Sequence, residues 1–169
     1  PTAALRAQFE TNFFGWHELT RQLLPHMLAA GEGRIIQNSS VLGLVAMKYR
    51  GAYNASKFAI EGYSDTLRLE LRGSGVHVCL IEPGPIDSRF RANALAALYQ
   101  HINLQHSRHA EIYAQTLARL ERDVPGNRFT LSPEACIPPL LHALKAKRPR
   151  HRYQVTTPSK LLALLRGWL

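Results

Sequence analysis

Tyr53 and Lys57, in the run Tyr53-Asn54-Ala55-Ser56-Lys57, are the pair of residues whose types and spacing best suit joint chemistry. On a helix, four positions put both side chains on one face. A phenol ordinarily titrates at about 10, and a neighbouring ammonium favours the phenolate and lowers that value. The spacing therefore predicts a tyrosine able to exchange a proton near neutral pH. Ser40 supplies a hydroxyl that can donate to the same substrate oxygen and hold it in place. The plainer readings are an exposed tyrosine–lysine pair on a solvated helix and a functional Ser39 in place of Ser40. Spacing favours Ser40 and leaves Ser39 as a structural hydroxyl.

Such a trio needs elements to hold it. Apolar residues recur at helical spacing from Leu5 through Phe9, Phe13, Trp16, Leu19 and Leu23 to Met27. This predicts a long helix over residues 5–28, bent near Pro25 and stopped by Gly31 and Gly33. A short strand over 34–38 and a loop over 39–51 follow, then a second long helix over 52–72 closed by Gly73 and Gly75. The alternating, β-branched stretch 76–81 reads as a buried strand, ended by Pro83-Gly84-Pro85. Residues 87–129 are helical in parts, and Pro125-Gly126-Asn127 is a turn. A helix opens at Ser132 as N-cap with Pro133 at its first position, is disturbed at Pro138-Pro139, and ends near Lys147. A strand over 152–156 and an apolar helix from Pro158 complete the chain. Strands alternating with helices predict a parallel sheet covered on both faces. Ligands on such sheets sit beyond the carboxyl ends of the strands, where Ser39-Ser40 and Pro83-Gly84 fall.

Taken together, these residues resemble the short-chain dehydrogenase/reductase family. Tyr53 and Lys57 fit its Tyr-x-x-x-Lys pair, Ser40 fits its serine thirteen positions earlier, and Asn12 in Thr11-Asn12-Phe13-Phe14-Gly15 fits the asparagine of the preceding helix. Pro83-Gly84-Pro85-Ile86-Asp87-Ser88 is similar to its Pro-Gly motif, with Ser88 where a threonine is usual. The resemblance implies that a nicotinamide cofactor delivers hydride to a carbonyl carbon while Tyr53 protonates the oxygen. By the same resemblance Lys57 lowers the tyrosine's pKa and binds ribose hydroxyls, Ser40 orients the carbonyl, and Asn12 holds a water linking Lys57 to solvent. Tyr53, Lys57, Pro83, Gly84, Ile86 and Ser88 are then the cofactor contacts, with NADP expected ahead of NAD. The stretches Gly51 to Leu71 and Ile81 to Ile86 resemble a subgroup of NADP-dependent aldehyde reductases and retinol and 17β-hydroxysteroid dehydrogenases. This implies a small lipophilic aldehyde, ketone or alcohol as substrate.

The expected fold is α/β, the C-terminal part of a doubly wound parallel-sheet Rossmann fold without its first βαβαβ half. No Thr-Gly-x-x-x-Gly-x-Gly turn is present to cradle a pyrophosphate. Residues 1–90 are expected as the catalytic core, 91–131 as the substrate-binding region, and 132–169 as a C-terminal helix, strand and tail. Activity of the 169-residue chain by itself is doubtful on this view. An inactive remnant acting only through protein–protein contacts is the alternative.

Bulk properties exclude several other classes. A 46% hydrophobic content with 20% charged residues argues for a packed domain over disorder. The net charge of +9 invites a nucleic-acid reading, but the cations are spread out. Their one cluster (Lys145, Lys147, Arg148, Arg150, Arg152) reads as a solvated helix terminus, where cations are favourable. Two cysteines form no disulfide framework, and Cys79 reads as a buried small hydrophobe. That cysteine usage fits a reducing, cytoplasmic setting, no run is long enough to span a bilayer, and neither nucleic-acid nor integral membrane partners are expected. His101, His106 and His109 lack further ligands at motif spacing, so no metal is expected. Tyr49 and Tyr63 read as packing residues. The two long helices are expected, by resemblance, to pair in a homo-oligomer.

Overall fold

The computed structural model describes residues 1–121 and 128–166. Its first thirty residues form one helical run: α1 (Thr2–Phe9), a wider π turn (Glu10–Phe14), and α2 (Gly15–Ala30). Gly31 ends it in a left-handed conformation at φ 67, with its N–H on the Leu28 carbonyl. Pro25 lies inside α2, and the helix continues past it for five residues. Strand β1 (Gly33–Asn38) leads through a single 3-10 turn (Val41–Gly43) and a loop into α3 (Gly51–Glu70). Strand β2 (Val76–Glu82) follows, then α4 (Phe90–His101) and α5 (Ala110–Glu121). A 3-10 turn (Pro133–Cys136), α6 (Ile137–Lys145), β3 (Arg152–Gln154) and α7 (Thr157–Leu165) complete the described residues.

The sheet is parallel throughout, in the order β1-β2-β3, as the alternation of elements predicted. β2 is buried along almost its whole length, so both of its faces carry core. On one face Val76 and Val78 pack with Ile35, Leu67 and Leu71, backed by Leu24, Met27 and Tyr63. On the other, Cys79 and Ile81 pack with Ala143 and Tyr153, backed by Ile36 and Val155. Burying each such aliphatic side chain contributes about 1.5–3 kcal/mol. The α3 helix and α6 therefore clamp the strand from opposite sides. The far edge of β1 pairs with no strand among the described residues.

Several sequence expectations shift. The π turn over Glu10–Phe14 has no counterpart in the expected helix, because one extra residue in a turn leaves no mark on apolar periodicity. Ser132 makes no side-chain capping bond, and α6 begins only at Ile137. Pro138 and Pro139 sit in its first turn, where a missing N–H costs nothing, so they open the helix and do not disturb it. The turn read at Pro125-Gly126-Asn127 lies outside the described residues. Arg152 is no helix-terminal cation: it is the first residue of β3 and is ion-paired. Tyr49 is more than half exposed and is the sole non-glycine residue at positive φ (62°) among the described residues, so it is not a core packing residue.

Candidate active site

The loops that leave β1 and β2 run side by side. The Ser39 N–H donates to the Ile81 carbonyl at 2.9 Å, and the Val41 N–H to the Pro83 carbonyl at 2.8 Å. These bonds place Ser40 beside the Pro83-Gly84-Pro85 turn, beyond the carboxyl ends of both strands. Ser40 adopts an extended backbone and caps the following 3-10 turn, its hydroxyl accepting from the Leu42 N–H at 3.1 Å.

Helix α3 enters this corner at its N-terminal end. Buried Asn54 fixes the approach: its amide donates to the Leu42 and Val45 carbonyls, each at 2.9 Å, and its oxygen accepts from the Met47 N–H at 3.3 Å. The loop carrying Ser40 is thereby tied to the turn of helix carrying Tyr53, whose phenol interacts with the Ser40 side chain. Burial pushes the Tyr53 phenol above its ordinary value, and the Ser40 hydroxyl and the Arg50 charge pull the other way more weakly. Lys57 is buried one helical turn later. Its ammonium donates to the Asn38 carbonyl at 2.7 Å and lies 5.6 Å from the centre of the Tyr53 ring. Burial lowers Lys57 to about 8, opposed by the Glu61 carboxylate.

This geometry corrects one expectation. Spacing led us to expect a tyrosine held low by its lysine. Here removal of the phenol from water outweighs the pull of Ser40 and Arg50 and raises the phenol, so the resting tyrosine is a protonated acid. Asn12 contacts α3 from the preceding helical run. Its side-chain amide donates to the Ser56 hydroxyl at 3.0 Å, Ser56 donates to the Tyr53 carbonyl at 2.8 Å, and the Asn12 carbonyl accepts from the Trp16 indole. The π turn presents Asn12 to α3, and its amide braces that helix through Ser56.

In the second loop, Gly84 cannot be replaced: a Cβ there would lie 2.1 Å from the Thr156 Oγ1. Thr156 is buried and caps α7, so the glycine lets the loop rest flat against that helix start. Ile86 bridges to Leu131, and the exposed Ser88 caps the turn into α4, its hydroxyl accepting from the Phe90 N–H at 3.3 Å. The Phe90 ring meets the Tyr53 ring edge-on at 5.3 Å, and Tyr49 meets His109 at 5.6 Å, giving the mouth an aromatic rim. Tyr63 sits away from this corner, bonded to His17 at 2.8 Å and packed on Phe13 and Trp16. Among the described residues no group of three or more potential metal ligands occurs.

Behind Lys57 lies a charged cluster that sequence reasoning missed. Glu61, Asp65 and Glu82 converge on Arg152, whose Nε lies 3.2 Å from Glu61 and 3.1 Å from Glu82 and whose Nη2 bonds both oxygens of Asp65 at 2.7 Å. Gln154 donates to the second Glu82 oxygen, and the Ser159 hydroxyl donates to the Glu82 carbonyl at 2.6 Å. A signal was available: Glu82 ends the apolar run Val78–Ile81, and a carboxylate there demands a partner.

The comparisons agree with this architecture. The family model for short chain dehydrogenase matches residues 1–98. An uncharacterized oxidoreductase of Escherichia coli (YbbO) is 45% identical over 169 residues, which is 99% of this chain and 56% of that protein. Human retinol dehydrogenase 8 is 39% identical over 94 residues, 56% of this chain and 30% of that protein. A short chain dehydrogenase/reductase of Burkholderia phymatum, solved in complex with NAD, superposes with a TM-score of 0.73 at 24% identity, over 95% of this chain and 56% of that one. A short chain dehydrogenase of Burkholderia cenocepacia, solved with NADP, superposes at 0.70 with 22% identity, over 99% of this chain and 57% of that one. The present chain thus spans little more than half the length of such relatives. With a family model covering more than half its residues and a relative matched along its whole length, the chain belongs to the short-chain dehydrogenase family of oxidoreductases.

Proposed function

We propose that the protein transfers hydride between a nicotinamide cofactor, NADP ahead of NAD, and the carbonyl or alcohol group of a small lipophilic aldehyde, ketone or alcohol. One observation carries the reading: the partly buried Tyr53 phenol interacts with the Ser40 hydroxyl, with the Lys57 ammonium 5.6 Å from its ring, at the carboxyl ends of two parallel strands.

The residues present fit the nicotinamide half of such a cofactor. Lys57 and Tyr53 offer donors for ribose hydroxyls, and Pro83, Gly84 and Ile86 form a side-chain-poor ledge whose glycine admits no Cβ. Ser88 adds an exposed hydroxyl at the ledge's end. When bound, the cofactor supplies or accepts the hydride. The chain's own part is to hold and move the proton. In the reducing direction Tyr53, kept protonated by burial, donates to the developing alkoxide while Ser40 steadies the same oxygen. The Lys57 ammonium then stabilises the phenolate left behind. Asn12 braces the helix carrying both through Ser56. The aromatic rim of Phe90, Tyr49 and His109 suits an apolar substrate that leaves only its carbonyl in the polar corner.

We extend the proposal to a cytoplasmic homo-oligomer. Its supports are two free cysteines and the exposed apolar side chains of α1–α2. No helix among the described residues is long and apolar enough to cross a membrane.

The test uses the whole natural protein. NADPH consumption is followed with medium-chain aldehydes, flat cyclic ketones and retinal, with NADH in parallel. Turnover of an apolar carbonyl is expected, faster with NADPH. No hydride transfer in either direction with any of these substrates would remove the reading.

A further inference from the structure

Lys57 is an ammonium in a place hostile to charge. Its side chain is buried, and its one hydrogen bond among the described residues goes to a neutral carbonyl, that of Asn38. Nothing in that bond compensates the loss of water around a full positive charge. The next group on the same face of α3, one turn on, is Glu61. Glu61 is also buried, with its side chain 3% exposed, yet one of its oxygens has no hydrogen-bond partner among the described residues.

The surroundings of Glu61 form a closed set. On α3 it is flanked by Lys57, Asp65 and Arg68; Asp65 also bonds Arg68 at 2.7 Å. From β3 comes Arg152, and from β2 the fully buried Glu82, both on the sheet side of the helix. The cation contributed by α7 is Arg166, whose charge acts on Glu82. The α1–α2 run contributes the neutral Asn12 amide through Ser56, while its charged Arg6 and Glu10 are exposed. Arg152 bridges Glu61, Asp65 and Glu82, Asp65 is shared with Arg68, and Lys57 is the buried cation on the other side of Glu61.

We propose that Glu61, held in place by Arg152, is the buried counter-charge that keeps Lys57 an ammonium, which makes Glu61 a positioning residue for proton transfer at Tyr53. The inference rests on reading Tyr53 and Lys57 as the reacting pair. The titration directions agree with it. Burial pushes Lys57 down to about 8, and Glu61 is the charge that opposes the fall. Burial, and next the Glu61 charge, push Glu82 up to about 7. Arg152 is thus a divider between the two. It anchors Glu61 toward the catalytic face and leaves Glu82, under the Pro83-Gly84 ledge, to take up a proton.

The test reads Lys57 directly. In the whole natural protein, lysines are acetylated in brief pulses across a pH series. The Lys57 peptide is quantified by mass spectrometry, with exposed Lys48 and Lys145 as internal references. Glu61→Gln is expected to move the Lys57 inflection about one pH unit lower, so that at pH 7 the reactive amine is roughly fivefold more abundant. Alkaline loss of kcat should begin about one unit earlier, with KM for the carbonyl substrate unmoved. A merely structural role for Glu61 would shift the melting temperature and leave that inflection alone. A folded Glu61→Gln protein with the wild-type inflection overturns the inference. If that variant does not fold, Glu61→Asp decides the matter. Its carboxylate is retracted by one methylene, so a smaller shift in the same direction is expected, and an unmoved inflection overturns the inference. A wild-type protein that shows no hydride transfer, but whose Lys57 shifts on Glu61→Gln, overturns the oxidoreductase reading and upholds the coupling.

Discussion

The two long helical runs on one side of the sheet invert each other's chemistry. Helix α3 buries Asn54, Ser56, Lys57, Glu61 and Ser64 among its seven buried residues. The α1–α2 run buries only Thr20, itself polar, and turns Leu5, Phe14, Leu19, Leu23 and Leu28 to the outside. Burial of polar groups costs stability unless each finds a partner. On α3 most do: Asn54 makes three hydrogen bonds, Ser56 two, Lys57 one and Glu61 an ion pair. A helix that needed only to cover a sheet would use leucines there, as α3 does near its end with Leu67 and Leu71. The polar half of α3 is therefore built around the site, and the apolar outside of α1–α2 is built for whatever covers it.

The sharpest way to break this contrast is Tyr53→Phe. The change deletes one oxygen and keeps the ring against Phe90. It should lower kcat/KM for carbonyl reduction by about 10²- to 10⁴-fold, the usual worth of a positioned proton donor. Because the phenol is largely buried, thermal stability should hold or rise. A variant that keeps its turnover, or that loses turnover and melting temperature together, would mean that Tyr53 is a packing residue like Tyr63.

Asn54→Leu probes the same helix for structure. The leucine is of similar volume and more apolar, so a helix that merely sought burial would be stabilised by it. Instead the carbonyls of Leu42 and Val45 and the Met47 N–H lose their partner. A cost of about 3 kcal/mol in urea unfolding is expected, from buried polar atoms left unpaired. A rise in stability would show that the polar inversion of α3 carries no structural weight.

How far the sequence revealed all this differs by feature. The strands and both long helices were legible because hydrophobic period follows directly from which face is buried, and Tyr53, Lys57 and Ser40 were legible because their spacing is local. What failed was whatever depends on depth or on distant partners. Adjacency on a helix indicated that Lys57 attracts a Tyr53 phenolate, but not that both are buried enough for desolvation to reverse the balance at rest. Arg152 looked like one cation in a terminal cluster because its partner Glu61 lies 91 positions away. The π turn that presents Asn12, and the positive φ of Tyr49, are backbone choices that side-chain patterns do not record.

The smallest expected effect on folding comes from the other member of the comparison. Leu19 and Leu23 are 57% and 44% exposed, and with Trp16 and Met27 they line a groove of about 200 Å³ beside the unpaired edge of β1. An exposed apolar groove next to a free strand edge invites association. The purified 169-residue chain should therefore form dimers or larger species in sedimentation velocity at micromolar concentration. The double substitution Leu19→Gln, Leu23→Gln removes apolar surface that the chain's own core does not use, so unfolding free energy should change by no more than about 0.5 kcal/mol per site. The distribution should move toward monomer. If instead the double variant unfolds readily and its association is unchanged, these leucines support the core after all, and α1–α2 and α3 differ less than their exposure indicates.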